Sequence, residues 1–175
     1  TPTRNDGANL GDIFDKIVYQ YSIIDAIKDG YLCEFDAIQI KSQLSLDNVR
    51  TTAGDFNQRD LRQTVDTPSR NRLIYDSYKK YADGKQNIVF CVDVEHAKNI
   101  HELFVSKGEL AEILVGDTSI TEDRIGVTSR FKSGETTHLI NVVIGTTGFD
   151  YPGIMCVTDA APTKSLTRAF QKWGR

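Results

Sequence analysis

With 175 residues and 39% hydrophobic content, the chain has enough apolar material for one core of ordinary domain size, and a second full domain is not expected. A formal charge of -3 and a pI near 5.6 exclude a global positive field, so any nucleic-acid contact must come from a local arrangement. No apolar run approaches the ~20 residues that cross a bilayer and no charged-then-apolar leader opens the chain, so a soluble, cytoplasmic protein is expected. Cys33, Cys91 and Cys156 lie far apart without C-x-x-C spacing and read as reduced core thiols, in keeping with a cytosolic setting.

Residues 1–31 read as a lead-in, with a loose amphipathic pattern from Ile13 to Ile27 that turns at Asp29-Gly30. The period-two alternation of "YLCEFDAIQI", Tyr31 to Ile40, predicts a strand. Residues 41–65 are polar and patternless apart from a short helix around Arg59 to Val65. Thr67-Pro68 opens a helix as N-cap and first helical residue, with Ile74, Tyr78 and Tyr81 on one face and a stop at Asp83-Gly84. "QNIVFCVDV" is a continuous apolar run of the kind buried on both faces, and Asp93 caps the helix after it. That helix carries Ala97, Ile100, Leu103 and Phe104 at helical spacing and ends at Gly108. "AEILVGDT" predicts a shorter strand, followed by a helix capped by Thr121 or Ser119 that runs through Ile125, Thr128 and Phe131 to Gly134. "INVVIG" and "IMCVTDA" are two further strands, and Leu166, Phe170 and Trp173 at i, i+4, i+7 mark a last helix ended by Gly174. Strands alternating with helices of about 10 to 15 residues predict right-handed βαβ crossovers and a parallel sheet covered on both sides.

Neither a G-x-x-x-x-G-K-[ST] phosphate loop nor a G-x-G-x-x-G dinucleotide turn is present. His96, His101 and His138 do not combine with cysteines or carboxylates at metal-ligand spacing and read as helix-surface or strand-end residues; no metal site is expected. No serine sits in a G-x-S-x-G elbow. What remains is a set of loops at strand carboxyl ends, where α/β sheets bind ligands. The most polar of them interrupts "INVVIGTTGFDYPGI" at Gly145.

That segment, followed by "CVTDAAPTKSLTRAFQKWGR", resembles motifs V and VI of superfamily two helicases, especially the restriction-enzyme and repair-type branch of DNA translocases. "NIVFCVDVEHAKNIHELF" and "VGDTSITEDRIGVTSRFKSGE" are similar to the segments around motif IV and the "GDT" loop after it, and the opening "TPTR" resembles the tail of motif III. The resemblance covers almost all of the chain, most tightly from residue 87 onward. It implies a three-layer α/β/α RecA-like domain, of the P-loop NTPase type with a mainly parallel sheet. Residues 1–31 would lead in from a preceding lobe, and residues 32–175 would form a C-terminal lobe that stops within motif VI. A start without methionine and an end on Arg175 directly after a C-cap glycine fit a piece of a longer protein.

In the family two lobes clamp ATP between them and grip nucleic acid across their tops. The first lobe carries the phosphate loop and the acid that binds Mg2+. The resemblance therefore implies ATP and Mg2+ as cofactors held mainly by an N-terminal RecA-like lobe, nucleic acid (DNA by the branch) as partner, no membrane, and no ATPase activity in this chain alone. Arg175 matches the arginine finger of "Q-x-x-G-R"; a guanidinium stays charged and offers a planar fork to phosphate oxygens, and such a finger contributes about 10³ to 10⁵ in rate. Gln171, one turn earlier on the same face, is its polar companion. Gly148 and Asp150 match the "G-F-D" of motif V that approaches the nucleotide, although a tight turn capped by Asp150 accounts for the same residues. Thr118 and Thr146 match positions that hold strand phosphates with neutral donors, indifferent to base sequence; bonds to their own loops are the alternative. Arg4 would couple the lobes, while Arg130 and Lys132 read as a solvated helix face. Thr147 stands where relatives carry glutamate, and the second arginine usual three residues after the first lies past the last residue. Two rival classes remain: a RecA-like docking module without catalysis, and a flavodoxin-like or Rossmann-like small-molecule enzyme.

Overall fold

The computed structural model describes residues 15–16, 18–116, 119–142 and 151–174. The chain divides into two units, residues 1–42 and residues 43–175.

In the first unit the described helix is α1 (Ile23–Lys28), capped by Ser22, whose hydroxyl accepts from the Asp25 amide. Residues 31–40, expected as a strand, form none and are exposed throughout. Alternation supplies a face for a sheet but no partner for the backbone, and no ladder is made here. Cys33 is accordingly exposed rather than a core thiol; Cys91 is buried, Cys156 is half-buried, and all three are free thiols.

The second unit begins with a hairpin, β1 (Thr51–Thr52) and β2 (Asp55–Phe56), paired antiparallel. Its turn residues Ala53 and Gly54 both have positive φ, 51° and 82°, as a two-residue hairpin matching the strand twist requires. There follow α2 (Gln58–Val65), α3 (Pro68–Ala82), β3 (Asn87–Cys91), α4 (Val94–Ser106), β4 (Ala111–Leu114), α5 (Arg124–Ser133), β5 (His138–Val142), β6 (Cys156–Asp159) and α6 (Leu166–Trp173).

The expected caps at Thr67 and Asp93 are in place, their side chains accepting from the amides of Arg70 and His96. For α5 the cap is Asp123, not Thr121 or Ser119. The Thr121 hydroxyl instead donates to the Ile113 carbonyl at 2.9 Å and accepts from the Val115 amide at 3.2 Å, stitching the start of its own loop. Gly134, at φ 82°, closes α5 in the left-handed conformation.

The sheet is parallel throughout, in the order β4-β5-β3-β6. From β3 the chain crosses to the edge at β4, then returns to insert β5 between them. The two crossovers run in opposite directions, so right-handed connections place α4 and α5 on opposite faces. The core divides accordingly. Val89 and Cys91 of β3 with Ile140 and Val142 of β5 pack under α3 and α4, against Tyr75, Tyr78, Ile100 and Phe104. The alternate residues Ile88, Phe90 and Leu139 pack under α5, against Val127 and Phe131. Every residue of β3 and β5 is buried, including Asn87, His138 and Asn141 among the apolar residues that dominate both strands. This is the expected three-layer α/β/α architecture. A third cluster of Val49, Leu61, Val65, Val92 and Ala161 seats α2 beside the ends of β3 and β6.

Three faces differ from their periodicity. Tyr75 is buried in α3 while Tyr81 is exposed, and Ile125 of α5 lies in solvent. In α6 the expected apolar stripe points outward, with Leu166, Phe170 and Trp173 exposed by 67%, 46% and 58%, while Thr167, Ala169 and Lys172 face inward.

Candidate functional site

In a parallel sheet every strand delivers its following loop to the same edge, and a cleft of about 470 Å³ opens there. It is lined by Gln58 and Arg62 of α2, by Asp93, Val94 and Glu95 where β3 turns into α4, by Val115 and Gly116 after β4, and by Val142 at the end of β5.

The β3–α4 turn is held from both sides. Gln58 and Arg62 are one helical turn apart and so share a face of α2. Gln58 Nε2 donates to the Val92 carbonyl at 2.7 Å, and Arg62 Nε lies 3.2 Å from Asp93 Oδ2. The other oxygen of Asp93 accepts from the His96 amide at 2.9 Å, so one carboxylate caps α4 and holds the arginine together.

His96 is fully buried, contrary to its expected place on a helix surface. Its Nδ1 accepts from the Val92 amide at 3.2 Å, which puts the proton of the neutral ring on Nε2, an atom without a hydrogen-bond partner. Burial pushes its pKa down to about 4, with the charge of Asp66 opposing and that of Arg70 assisting. The imidazole is therefore neutral at physiological pH and serves as a buried backbone acceptor within the β3–α4 turn. His138 is also buried, packed edge-on against Tyr78 and Phe104 with ring centroids 4.5 and 4.8 Å away.

On the β4 side, Val115 is fixed through its amide by Thr121 and through its carbonyl by a guanidinium hydrogen bond from Arg124. The loop between these anchors carries Thr118. Thr118, Thr146, Gly148, Asp150 and Arg175 lie outside the described residues, as does Arg4. The stems that lead to the first four are described: Gly116 and Val142 line the same cleft.

Gln171 is described and exposed on α6. The opposite side of that helix is anchored by charge. Lys172 Nζ, on a side chain only 2% exposed, donates to Asp159 Oδ1 and to the Ala161 carbonyl, both at 2.6 Å. Trp173 Nε1 donates to Asp159 Oδ2 at 3.1 Å. Asp159 ends β6, so the helix carrying Gln171 is tied to the sheet edge. The start of α6 is tied to the hairpin through Asp55, which accepts from Thr163 Oγ1 at 2.6 Å, from the Lys164 amide at 2.8 Å and from Arg168 Nη1 at 3.0 Å. Burial alone would raise the Asp55 pKa, but these donors and the Phe56 amide outweigh it and hold the carboxyl below its ordinary value.

Arg130 and Lys132 are not simply solvated. Arg130 Nη2 lies 2.6 Å from Glu112 and Nη1 3.5 Å from Asp123, and Lys132 stands over the Tyr151 ring. Sequence reading missed Gln58, Arg62 and the Asp55 junction. The only local signal for the first two was a glutamine and an arginine at i, i+4 in a short helix. Among the described residues no group of three or more His, Cys, Asp or Glu side chains could hold a metal ion, and no helix is long and apolar enough to cross a membrane.

The parallel sheet between two helical layers, gathering its loops at one strand edge, makes this an α/β domain whose ligand contacts fall along that edge. Within that class, the chain belongs to the helicase conserved C-terminal domain family, whose model matches residues 69–175. It is 35% identical over 175 residues to the putative ATP-dependent helicase IRC3 of Saccharomyces cerevisiae, covering 98% of this chain and 25% of that protein. It is 32% identical over 156 residues to the putative mitochondrial ATP-dependent helicase irc3 of Schizosaccharomyces pombe, covering 88% of this chain and 25% of that one. The chain thus spans about a quarter of the length of these relatives. Among solved structures, the Pyrococcus furiosus Hef helicase domain aligns with a TM-score of 0.47 and 27% identity, over 59% of this chain and 22% of that one.

Proposed function

We propose that the chain is the second motor lobe of an ATP-dependent nucleic-acid helicase or translocase acting on DNA. The observation that supports this most is the joining of family membership to one cleft: the stems of the "GDT" and motif V loops, which the resemblance assigns to strand contact, both line it. In this reading residues 1–31 lead in from an N-terminal RecA-like lobe, which supplies the phosphate loop and the Mg2+ acid, and residues 32–175 form the second lobe.

Each residue then has a physical task. Thr118 and Thr146 hold strand phosphates with neutral donors, which release easily and read no sequence. Gly148 and Asp150 approach the nucleotide. Arg175 reaches the γ-phosphate as a fixed positive charge, and Gln171 adds a neutral donor one turn back. Gln171 is exposed on a helix whose other side is locked by Lys172 and Asp159, which supports a place for it facing a triphosphate. When bound, ATP with Mg2+ supplies the phosphoryl chemistry; this lobe contributes charge and position.

The Schizosaccharomyces pombe relative is described as mitochondrial, so a cytoplasmic location is kept as part of the proposal and cell fractionation decides it. ATP hydrolysis by the longer protein carrying this lobe, measured with no nucleic acid, single-stranded DNA, duplex DNA or RNA, tests the function. Stimulation by DNA is expected. Turnover indifferent to every nucleic acid, or robust turnover by the 175-residue chain alone, would overturn it.

A further inference from the structure

The cleft contains one cation among its lining residues, Arg62, and the motor-lobe reading as it stands gives it no role. Its side chain is one-third exposed, and Asp93 is its single ion-pair partner among the described residues. The closest approach is through Nε, and a guanidinium carries five N–H donors, so this one ion pair leaves donors for a second acceptor. The other carboxylate in the cleft, Glu95, is paired with Lys98 at 2.9 Å. Five other arginines in this unit are committed elsewhere: Arg50 to Asp60, Arg72 to Asp76, Arg130 to Glu112, Arg168 to Asp55, and Arg70 to the Val65 and Ala160 carbonyls.

We infer that Arg62, with Gln58 beside it, is a phosphate contact of the tracked strand, held ready by Asp93 and exchanged from that carboxylate to a phosphodiester when the strand enters. This rests on the motor-lobe reading and extends the grip from the loops after β4 and β5 to helix α2. Three features make the exchange favourable. The Arg62–Asp93 pair is partly exposed and screened by water, so little is lost when it opens. Arginine pairs with phosphate through two parallel donors where Asp93 uses one nitrogen. Asp93 keeps its cap bond to the His96 amide after Arg62 leaves, so the turn does not unravel.

The test is the affinity of the full-length protein for fluorescent single-stranded and duplex DNA between 50 and 200 mM salt, as order-of-magnitude settings for counterion release. Arg62→Gln is expected to weaken binding roughly 3- to 10-fold at the lower salt and to reduce the log–log salt slope by about 0.7 on single strands or about 0.9 on duplex, alike for unrelated sequences. Asp93→Asn keeps an oxygen for the cap and removes the competing charge, so binding tightens about threefold. Arg72→Gln, on the solvent side of α3, leaves the slope unchanged. Wild-type binding with an unaltered slope in folded Arg62→Gln would overturn this inference alone. Absence of any salt-dependent DNA binding by the wild type would overturn it together with the motor-lobe reading. Should Arg62→Gln not fold, Asp93→Asn decides: tighter binding supports the exchange, and unchanged or weaker binding overturns it.

Discussion

Removing the carboxylate of Asp159 separates two ideas about the α6 anchor. Lys172 brings a charged ammonium into a nearly dry site, 2% exposed, where Asp159 and the Ala161 carbonyl each meet it at 2.6 Å. In Asp159→Ala the cation keeps one carbonyl and loses its counter-charge, while Trp173 and the Ala161 amide lose an acceptor. Breaking such a pair costs about 3 to 5 kcal/mol. The Asp159 side chain is 23% exposed, so water restores part of the loss, and the lower end, about 3 kcal/mol, applies here. Lys172→Met keeps most of the buried stem and removes the charge, leaving Asp159 its other donors and access to water. Its cost is within about 1 kcal/mol. Urea unfolding of the chain measures both, and the double variant should resemble Lys172→Met, revealing a coupling of about 3 kcal/mol, the full cost of the Asp159 single variant. Equal destabilisation by the two single variants, or a cost below about 0.5 kcal/mol for Asp159→Ala, would refute the reasoning.

Two further outcomes follow from the buried ionisable groups. For His96 the folded pKa is depressed to about 4 by burial, so the unfolded chain takes up this proton first as pH falls. Stability is complete above the ordinary histidine pKa of about 6.5 and falls by roughly 3 kcal/mol between there and about pH 4; His96→Gln removes this slope in a pH series of urea midpoints. For Asp55 the folded pKa is also depressed, which for a carboxyl means stability present above its ordinary value and lost as pH falls through the folded one. Asp55→Asn, which loses the Arg168 pairing and acceptor capacity for Thr163 and Lys164, costs about 2 kcal/mol at neutral pH, and the cost shrinks as pH falls through the depressed folded pKa, by thermal unfolding.

The fold was legible where the sequence signal is local. Thr67 and Asp93 announce their helices because a cap bonds an amide three residues away. β3 announces itself because a parallel strand covered on both faces is mostly apolar on both sides, whereas β5 starts at His138, ahead of the apolar residues that signalled it. The misread features depend on distant partners. Lys172 can face inward because Asp159, thirteen residues earlier, receives it, and this turns the Leu166, Phe170, Trp173 stripe outward. The hairpin at Thr51–Phe56 uses Ala53-Gly54 rather than an Asn-Gly or Asp-Gly turn and is fixed by Asp55 bonding to residues more than a hundred positions away. His96 looked like a surface residue because the acceptor role of its Nδ1 toward Val92 has no sequence signature. At the candidate site, strand order brought the predicted loop stems to one cleft, whereas Gln58 and Arg62 join it only through the packing of α2 on Val92 and Ala161.

The central claim is that this lobe lends a positive charge to a triphosphate held by a neighbouring lobe. Its most direct test is steady-state ATP hydrolysis by the full-length protein at saturating DNA, comparing wild type with Arg175→Ala and Arg175→Lys, alongside ATP affinity by equilibrium binding. A fall in kcat of about 10³ or more is expected for both variants with ATP affinity changed by only a few-fold, because the charge acts chiefly in the transition state. Unchanged kcat in Arg175→Ala, or full activity restored by lysine, would contradict it.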